Sequence, residues 1–187
     1  MGAIKQLLPI RGEPSLVFCL SRILKASLAQ VVVVVGHHRN LILPVLRDLP
    51  VATAVNPEPD SQMADSVRIG LGALRSDISG VMIGLADHPL VLSSTYELLR
   101  KRHERQTDRI FLPTYLQRGG HPPLFPAALL GAGKKARPLK EIIAANRDKV
   151  ERLPLADPGI FNDMDYPADY HRLLSLAAAE RDAGGGG

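Results

Sequence analysis

Apolar residues between positions 14 and 28 fall at Leu16, Val17, Leu20, Ile23, Leu24 and Leu28, the three-and-four spacing that gives a helix one buried stripe. Pro14 suits the first turn of that helix, where its missing amide costs nothing. The period then changes. Positions 31–35 are all valine and are followed by Gly36; such a β-branched run predicts a strand buried on both faces of a parallel sheet. A short helix is expected over 40–48, with Pro44 near its first turn, and a second strand over 51–55. Helical spacing returns over 62–75, where Val67, Leu71 and Leu74 share one face. A third apolar strand, 81–85, runs into Asp87-His88-Pro89. Beyond it the pattern predicts a helix over 94–105, a strand over 109–113 and a turn at Gly119-Gly120-His121-Pro122-Pro123. An extended piece at 124–125, a helix over 138–146, an extended segment over 150–155 and a closing helix over 167–182 complete the chain.

Strands and helices alternate at short spacing through the first hundred residues. That is the pattern of a doubly wound α/β fold, three layers with a mostly parallel sheet in the middle. No repeat or internal boundary interrupts it, so the 187 residues are expected to form one domain over 1–182 with a flexible glycine tail over 183–187. A chain of this length buries roughly 70% of the surface its unfolded form exposes.

Aromatics make up only 4% of the chain and tryptophan is absent, so the core must be aliphatic. The net charge of +4 favours an anionic small molecule. Lys and Arg are scattered, however, with no basic stripe interleaved with aromatics, which argues against nucleic-acid binding. The valine run is too short for a membrane span and too far along the chain for a signal. Cys19, the one cysteine, lies within an apolar helical stretch and reads as a small buried hydrophobe. A lone thiol closes no internal disulfide, which fits a cytoplasmic protein.

In doubly wound sheets ligands bind at the carboxyl ends of the strands, and Asp87 stands two residues beyond the third. Its carboxylate is placed either to bind Mg²⁺, a hard cation that keeps phosphate oxygens and water in its shell, or to cap the next helix. Asp163 and Asp165, two apart, face the same way in an extended segment, yet Asp163-Met164-Asp165-Tyr166-Pro167 is also placed to cap the last helix. His37 and His38 point in different directions and have no third ligand at metal spacing, which reads as an exposed loop. At Gly120-His121 the glycine permits close approach of backbone to a ligand; a plain turn histidine is the alternative. No nucleophile elbow, Ser-His-Asp order or complete phosphate loop is present. The opening MGAIKQLLPIRGEP, with Gly2 and Lys5 just before a turn and a helix, looks like the far end of a phosphate-binding loop.

Five stretches carry a resemblance. They are Met1-Gly2-x-x-Lys5-Gln6-Leu7-Leu8-Pro9, Asn56-Pro57 with Gln62-Met63-x-x-Ser66-Val67-x-x-Gly70-Leu71, Asp87-His88-Pro89-Leu90, Gly120-His121-Pro122-x-Leu124-Phe125, and Asp163-Met164-Asp165-Tyr166-Pro167-x-Asp169-Tyr170. In order and spacing over about residues 1–172 they resemble the nucleotidyltransferases of molybdenum cofactor synthesis, closest to the cytidylyltransferase branch. The resemblance implies a Rossmann-like nucleotide-diphospho-sugar transferase fold. It also implies a reaction in which the α-phosphorus of CTP is attacked by the phosphate of molybdopterin and pyrophosphate leaves. By the same resemblance Lys5 would neutralise triphosphate charge, Asp87 and Asp165 would hold Mg²⁺, and Gly2, Asn56 and Ser66 would lie along the nucleotide. His121 would lie near the acceptor. A molybdoenzyme or its chaperone is the implied recipient of the product.

Two departures accompany it. His88 stands where this branch usually has Gln. The family also begins with a strand and a Leu-Ala-Ala-Gly-x-Ser-x-Arg loop directly before Met-Gly, and neither is in this sequence. That loop's amides would cradle the triphosphate, and the strand would sit mid-sheet. Without it two apolar strands are expected to keep unpaired edges inside the core, at about 1–3 kcal/mol for each buried orphan amide. Three accounts are open: a true start upstream, which the intact remainder favours; a truncated relative of low activity; or another chain that fills the gap. Two other functions share the same residues. One is a nucleotidyltransferase for a sugar or polyol phosphate, and the other is an inactive cofactor-binding chaperone.

Overall fold

The computed structural model describes residues 4–131 and 137–184. Gly2 and the last three glycines lie outside the described residues. A 3-10 turn at Lys5–Leu7 leads into a hairpin of β1 (Pro9–Ile10) and β2 (Glu13–Pro14). Arg11 and Gly12 at its tip have φ of 53° and 88°, the pair of positive values that a two-residue hairpin loop uses to match strand twist. The Gly-Glu-Pro segment is therefore half of a hairpin. α1 (Ser15–Leu24), β3 (Val32–Val35), α2 (Arg39–Leu46), β4 (Ala52–Val55) and α3 (Met63–Gly72) follow. Then come β5 (Gly80–Met82), α4 (Ser93–Arg105), β6 (Ile110–Tyr115), β7 (Arg118–Gly119), β8 (Leu124–Pro126) and α5 (Ala127–Leu130). The chain closes with α6 (Leu139–Ala145), β9 (Val150–Pro154), a 3-10 turn at Pro158–Phe161 and α7 (Pro167–Gly184).

Every helix and strand expected from periodicity is present, with differences at the ends. α1 stops short of residue 28, where Ser27 takes a positive φ of 52°. Pro44 lies inside α2 rather than in its first turn. β5 is shorter than 81–85 suggests, although the Ile83 amide still donates to the Pro123 carbonyl at 3.0 Å. α7 continues to Gly184, two residues into the segment read as a tail, because the Ala-rich, charged sequence before it favours helix.

The fold is α/β with a mixed sheet. β3 and β4 pair in parallel, as do β6 and β9. β8 runs antiparallel to both β5 and β6, and β7 runs antiparallel to β6. The reversals at β6 follow from chain length. The few residues between β6 and β8 are too short for the crossover that a parallel neighbour needs. α3 packs closely on β3, where a Cβ at Gly70 would stand 3.0 Å from Val34 Cγ2.

The sheet comes in two blocks, β4-β3 and the block that begins at β5. Among the described residues no strand pairs with the second edge of β3 or of β5. A cavity of about 620 Å³ separates them, lined by Val32 and Val34, Val81 and Ile83, Leu20 of α1 and Leu71 of α3. The gap lies where the resemblance expects the strand before Met-Gly. It is also why Val32, Val33 and Val34 stay only half-buried in a run that reads as fully buried. No helix among the described residues is long and apolar enough to cross a membrane. Cys19 is buried as expected, and its burial pushes the thiol up to about 12.

Candidate active site

Two apolar clusters determine which polar groups meet at the carboxyl end of the sheet. In the first, Leu16, Leu20, Val35, Ile42 and Leu46 gather Ile4, Leu7 and Ala86 against them. Ile4 and Leu7 flank Lys5, and Ala86 precedes Asp87. The second contains Ile10, Phe18, Leu90, Met164, Leu173 and Ala177. Leu90 closes the Asp87-His88-Pro89 loop, and Met164 is fully buried between Asp163 and Asp165. Burying these apolar neighbours leaves the charged residues beside them on one rim of the sheet. Hydrogen bonds then fix the backbone. Ser15 Oγ donates to the Lys5 carbonyl at 2.9 Å, and Tyr170 Oη donates to the Pro9 carbonyl at 2.6 Å. Arg22 donates to the Leu90 carbonyl at 2.9 Å and stacks over Phe18.

The result brings together residues far apart in sequence. Lys5 Nζ lies 2.8 Å from Asp87 Oδ2 and 2.9 Å from Asp165 Oδ1. Asp87 Oδ1 is taken by His88 Nδ1 at 3.0 Å, so each oxygen of this carboxylate has its own partner. The bond from His88 and then the pair with Lys5 hold the Asp87 carboxyl well below the usual carboxylate range, against the opposing effect of its partial burial. Burial works against the Lys5 charge as well. Hydrogen bonds to Asp87 and Asp165 outweigh it, and the net shift is upward. Asp165 does not cap the last helix. Asp169 does so, accepting from the Tyr166 amide at 2.9 Å, which leaves Asp165 for Lys5.

Among the described residues no group of three or more His, Cys, Asp and Glu side chains could hold a metal. The protein therefore offers two carboxylates, and the shared ammonium marks a position where one cation satisfies both. Such a donor set does not suit a metal held by protein alone. It suits a hard divalent cation whose remaining ligands are phosphate oxygens and water.

Asn56 sits at the end of β4 and is 3% exposed. Its amide donates to Ser61 Oγ at 2.8 Å and Ser66 Oγ at 3.0 Å, while its carbonyl accepts from the Glu58 amide at 3.1 Å. It thus organises the loop between β4 and α3 and positions the Ser66 hydroxyl. His121 lies behind His88, ring centroids 5.4 Å apart. Burial, and after it the neighbouring His88, lower its pKa. His37 and His38 are exposed, with their ring centroids 3.8 Å apart.

Gly120 serves a different close approach from the one its motif suggests. A Cβ there would stand 2.6 Å from the Ile160 carbonyl oxygen, the same oxygen that accepts from the His121 amide at 3.0 Å. The glycine lets the β7–β8 turn lie on the 158–161 turn of the chain itself. Gly120→Ala is expected to destabilise the protein by about 1–3 kcal/mol, the usual cost of forcing atoms into a packed site. A lowered urea midpoint with an unchanged denaturant slope would show it.

Three positioning residues carry no signal of that role in the sequence. Met164 looks like a spacer between two acids, and Arg22 like an ordinary basic residue of a helix. Asp157, before Pro158 and Gly159, announces only a local cap. It is 2% exposed and holds the loop that contains Asp87 from below, accepting from the Leu92 amide at 2.9 Å.

The MobA-like NTP transferase domain matches residues 1–153 of this chain. No curated protein matches the sequence. Solved structures resemble the fold closely at low identity. The structure of Rv0371C complexed with manganese, from Mycobacterium tuberculosis H37Rv, has a TM-score of 0.80 and 24% identity, covering 93% of this chain and 93% of that one. A nucleotidyl transferase from Methanothermobacter thermautotroptrophicus has a TM-score of 0.77 and 19% identity, covering 94% of this chain and 86% of that one. A CMP:2-keto-3-deoxy-manno-octonic acid synthetase complexed with CTP has a TM-score of 0.75 and 12% identity, covering 94% and 92%.

Proposed function

The chain belongs to the MobA-like NTP transferase domain family and is a nucleotidyltransferase; on that premise we propose that it transfers the nucleotidyl group of CTP to the phosphate of a molybdopterin-type acceptor. Pyrophosphate is the second product and Mg²⁺ the cation. One observation carries this reading. A single ammonium, that of Lys5, bridges Asp87 and Asp165 at the carboxyl end of the sheet. Positive charge for a triphosphate and two oxygen ligands for a divalent cation thus meet at one point. Nucleotidyl transfer asks a protein for positioning and cation charge more than for a nucleophile of its own, and none of the triads or elbows that supply one is present.

A divalent cation held by Asp87 and Asp165 would supply the charge that stabilises phosphate oxygens in the in-line transition state. The chain's own groups do the rest. Lys5, a point charge on a flexible stem, neutralises the triphosphate beside Gly2. His88 keeps Asp87 Oδ1 occupied and so aims Oδ2 into the site, the orienting task that an outer partner performs for a metal-binding carboxylate. Ser66, held by Asn56, lies along the nucleoside. His121 lines the acceptor end as a weakly basic imidazole. The product would pass, in the cytoplasm, to a molybdoenzyme or its chaperone. The manganese of the mycobacterial structure and the CTP of the synthetase accord with this reading.

A second reading keeps the same residues and changes the acceptor to a sugar or polyol phosphate. It is favoured by the likeness to a 4-diphosphocytidyl-2C-methyl-D-erythritol synthase, whose named product joins cytidine to a polyol through a diphosphate. The test is pyrophosphate release from CTP or GTP with Mg²⁺ and either molybdopterin or a panel of sugar phosphates. Release with CTP and molybdopterin is expected. Release only with a sugar phosphate selects the second reading, and no release with any pair overturns both.

A further inference from the structure

Lys5 does more in this structure than approach a carboxylate. Its ammonium is shared by two acids, Asp87 and Asp165, at 2.8 and 2.9 Å. They lie 82 and 160 positions away in sequence. Those are the oxygens that the proposed reading assigns to a divalent cation. The ammonium and the cation therefore want one place. Both oxygens of Asp87 already have partners, Oδ1 in His88 and Oδ2 in Lys5. The Lys5 backbone is held by Ser15 Oγ and by the Leu8 amide on its carbonyl. Its side chain is 29% exposed, so the stem can swing while its anchor stays.

We propose that Lys5 is a resident counter-cation that keeps Asp87 and Asp165 together in the nucleotide-free protein and competes with a divalent metal for them. Metal then enters efficiently only with a triphosphate, whose anionic oxygens draw the ammonium off the carboxylates and complete the metal's shell. This rests on the nucleotidyl-transfer reading of the site. It adds an order of binding: weak metal alone, tight metal with nucleotide. A lysine serving only to hold the loop in place would predict the opposite sign on removal, because losing it would loosen both carboxylates and weaken metal at every step.

Mn²⁺ titration followed by the electron paramagnetic resonance signal of the free ion, with no acceptor present, separates these cases. The proteins are the wild type, Lys5→Met and Lys5→Arg, each without nucleotide and with CTP or GTP. Lys5→Met is expected to bind nucleotide-free Mn²⁺ about tenfold more tightly than wild type, as a competing charge is removed. It should also lose most of the gain that nucleotide confers on wild type. Lys5→Arg retains the charge and is expected to stay with wild type. Nucleotide-free affinity in Lys5→Met equal to or below wild type overturns the proposal, as does a rise in Lys5→Arg that matches Lys5→Met. Both of those results leave the site reading standing if nucleotide still tightens Mn²⁺ on wild type. Mn²⁺ that binds none of the proteins, with or without nucleotide, overturns the site reading and the proposal together.

Discussion

Replacing Asp87 with asparagine is expected to cut pyrophosphate release by about a thousandfold while leaving the fold intact. The substitution keeps the shape of the side chain and removes its charge. Stabilisation of transition-state charge by a bound cation is worth several kcal/mol, and each 1.36 kcal/mol is a factor of ten in rate. A loss confined to the transition state lowers kcat and kcat/KM together. Stability should change little in neutral solution, because the ion pair with Lys5 is about a quarter exposed on each side and such pairs contribute about 0–1 kcal/mol. The pH dependence supplies a second check. The Asp87 carboxyl is held below its ordinary value, so its contribution is present above the unfolded-state pKa of about 4 and is lost as pH falls toward the folded-state value. Wild type should therefore lose stability relative to Asp87→Asn on acidification below about pH 4. Turnover within tenfold of wild type would remove Asp87 from the chemistry. Asp165→Asn should have the smaller effect of the two, since Asp165 is 55% exposed and is not oriented by a histidine.

The order of elements was legible because two periods, 2 and 3.6, separate cleanly in this chain. The valine run, the stripe from Leu16 to Leu24 and the run before Asp87 each admit one assignment. Lys5 and Asp87 were legible as candidates from the motifs they stand in, although the position of Asp87 alone fits a helix cap equally well; the structure brings the two within 2.8 Å. What the pattern could not carry is pairing. Nothing local distinguishes the parallel β3–β4 ladder from the antiparallel β6–β8 ladder; that depends on how much chain separates the partners. The hairpin at Arg11-Gly12 was hidden because two-residue strands have no period. Asp165 is placed at the site by the resemblance alone, since the pattern fits a helix cap equally well; the structure gives that capping bond to Asp169, with Met164 buried beside Asp165. Gly120 shows the same limit from the other side. Its motif correctly demands a close approach, but the group that approaches is the Ile160 carbonyl of the chain itself.

Asp157→Ala is expected to destabilise the protein by about 3–5 kcal/mol, the largest stability effect predicted here. The carboxylate is buried and takes three donors: the Leu92 amide at 2.9 Å, Thr95 Oγ1 at 2.6 Å and the Gly159 amide at 2.9 Å. Removing it strands two backbone amides in the interior, at about 1–3 kcal/mol each, and the threonine hydroxyl with them. It also removes a negative charge from the first turn of α4, where the aligned peptide dipoles favour one. Asp157→Asn is the informative control. An amide oxygen at the Oδ2 position keeps the bonds from Leu92 and Thr95, while its NH₂ then faces the Gly159 amide, so about half the cost should remain. Urea denaturation of the three proteins would test the order alanine, asparagine, wild type, from least to most stable. The consequence reaches the site. Gly159 packs so tightly on the loop after Asp87 that a Cβ there would stand 2.2 Å from the Leu90 carbonyl oxygen. Loosening the 157–161 turn therefore frees the segment that aims Asp87 at Lys5. At temperatures where Asp157→Ala is still folded, its nucleotidyl transfer should fall through kcat, and Asp157→Asn should lie between it and wild type. Full activity in a folded Asp157→Ala protein would show that the turn supports the fold without positioning the carboxylate.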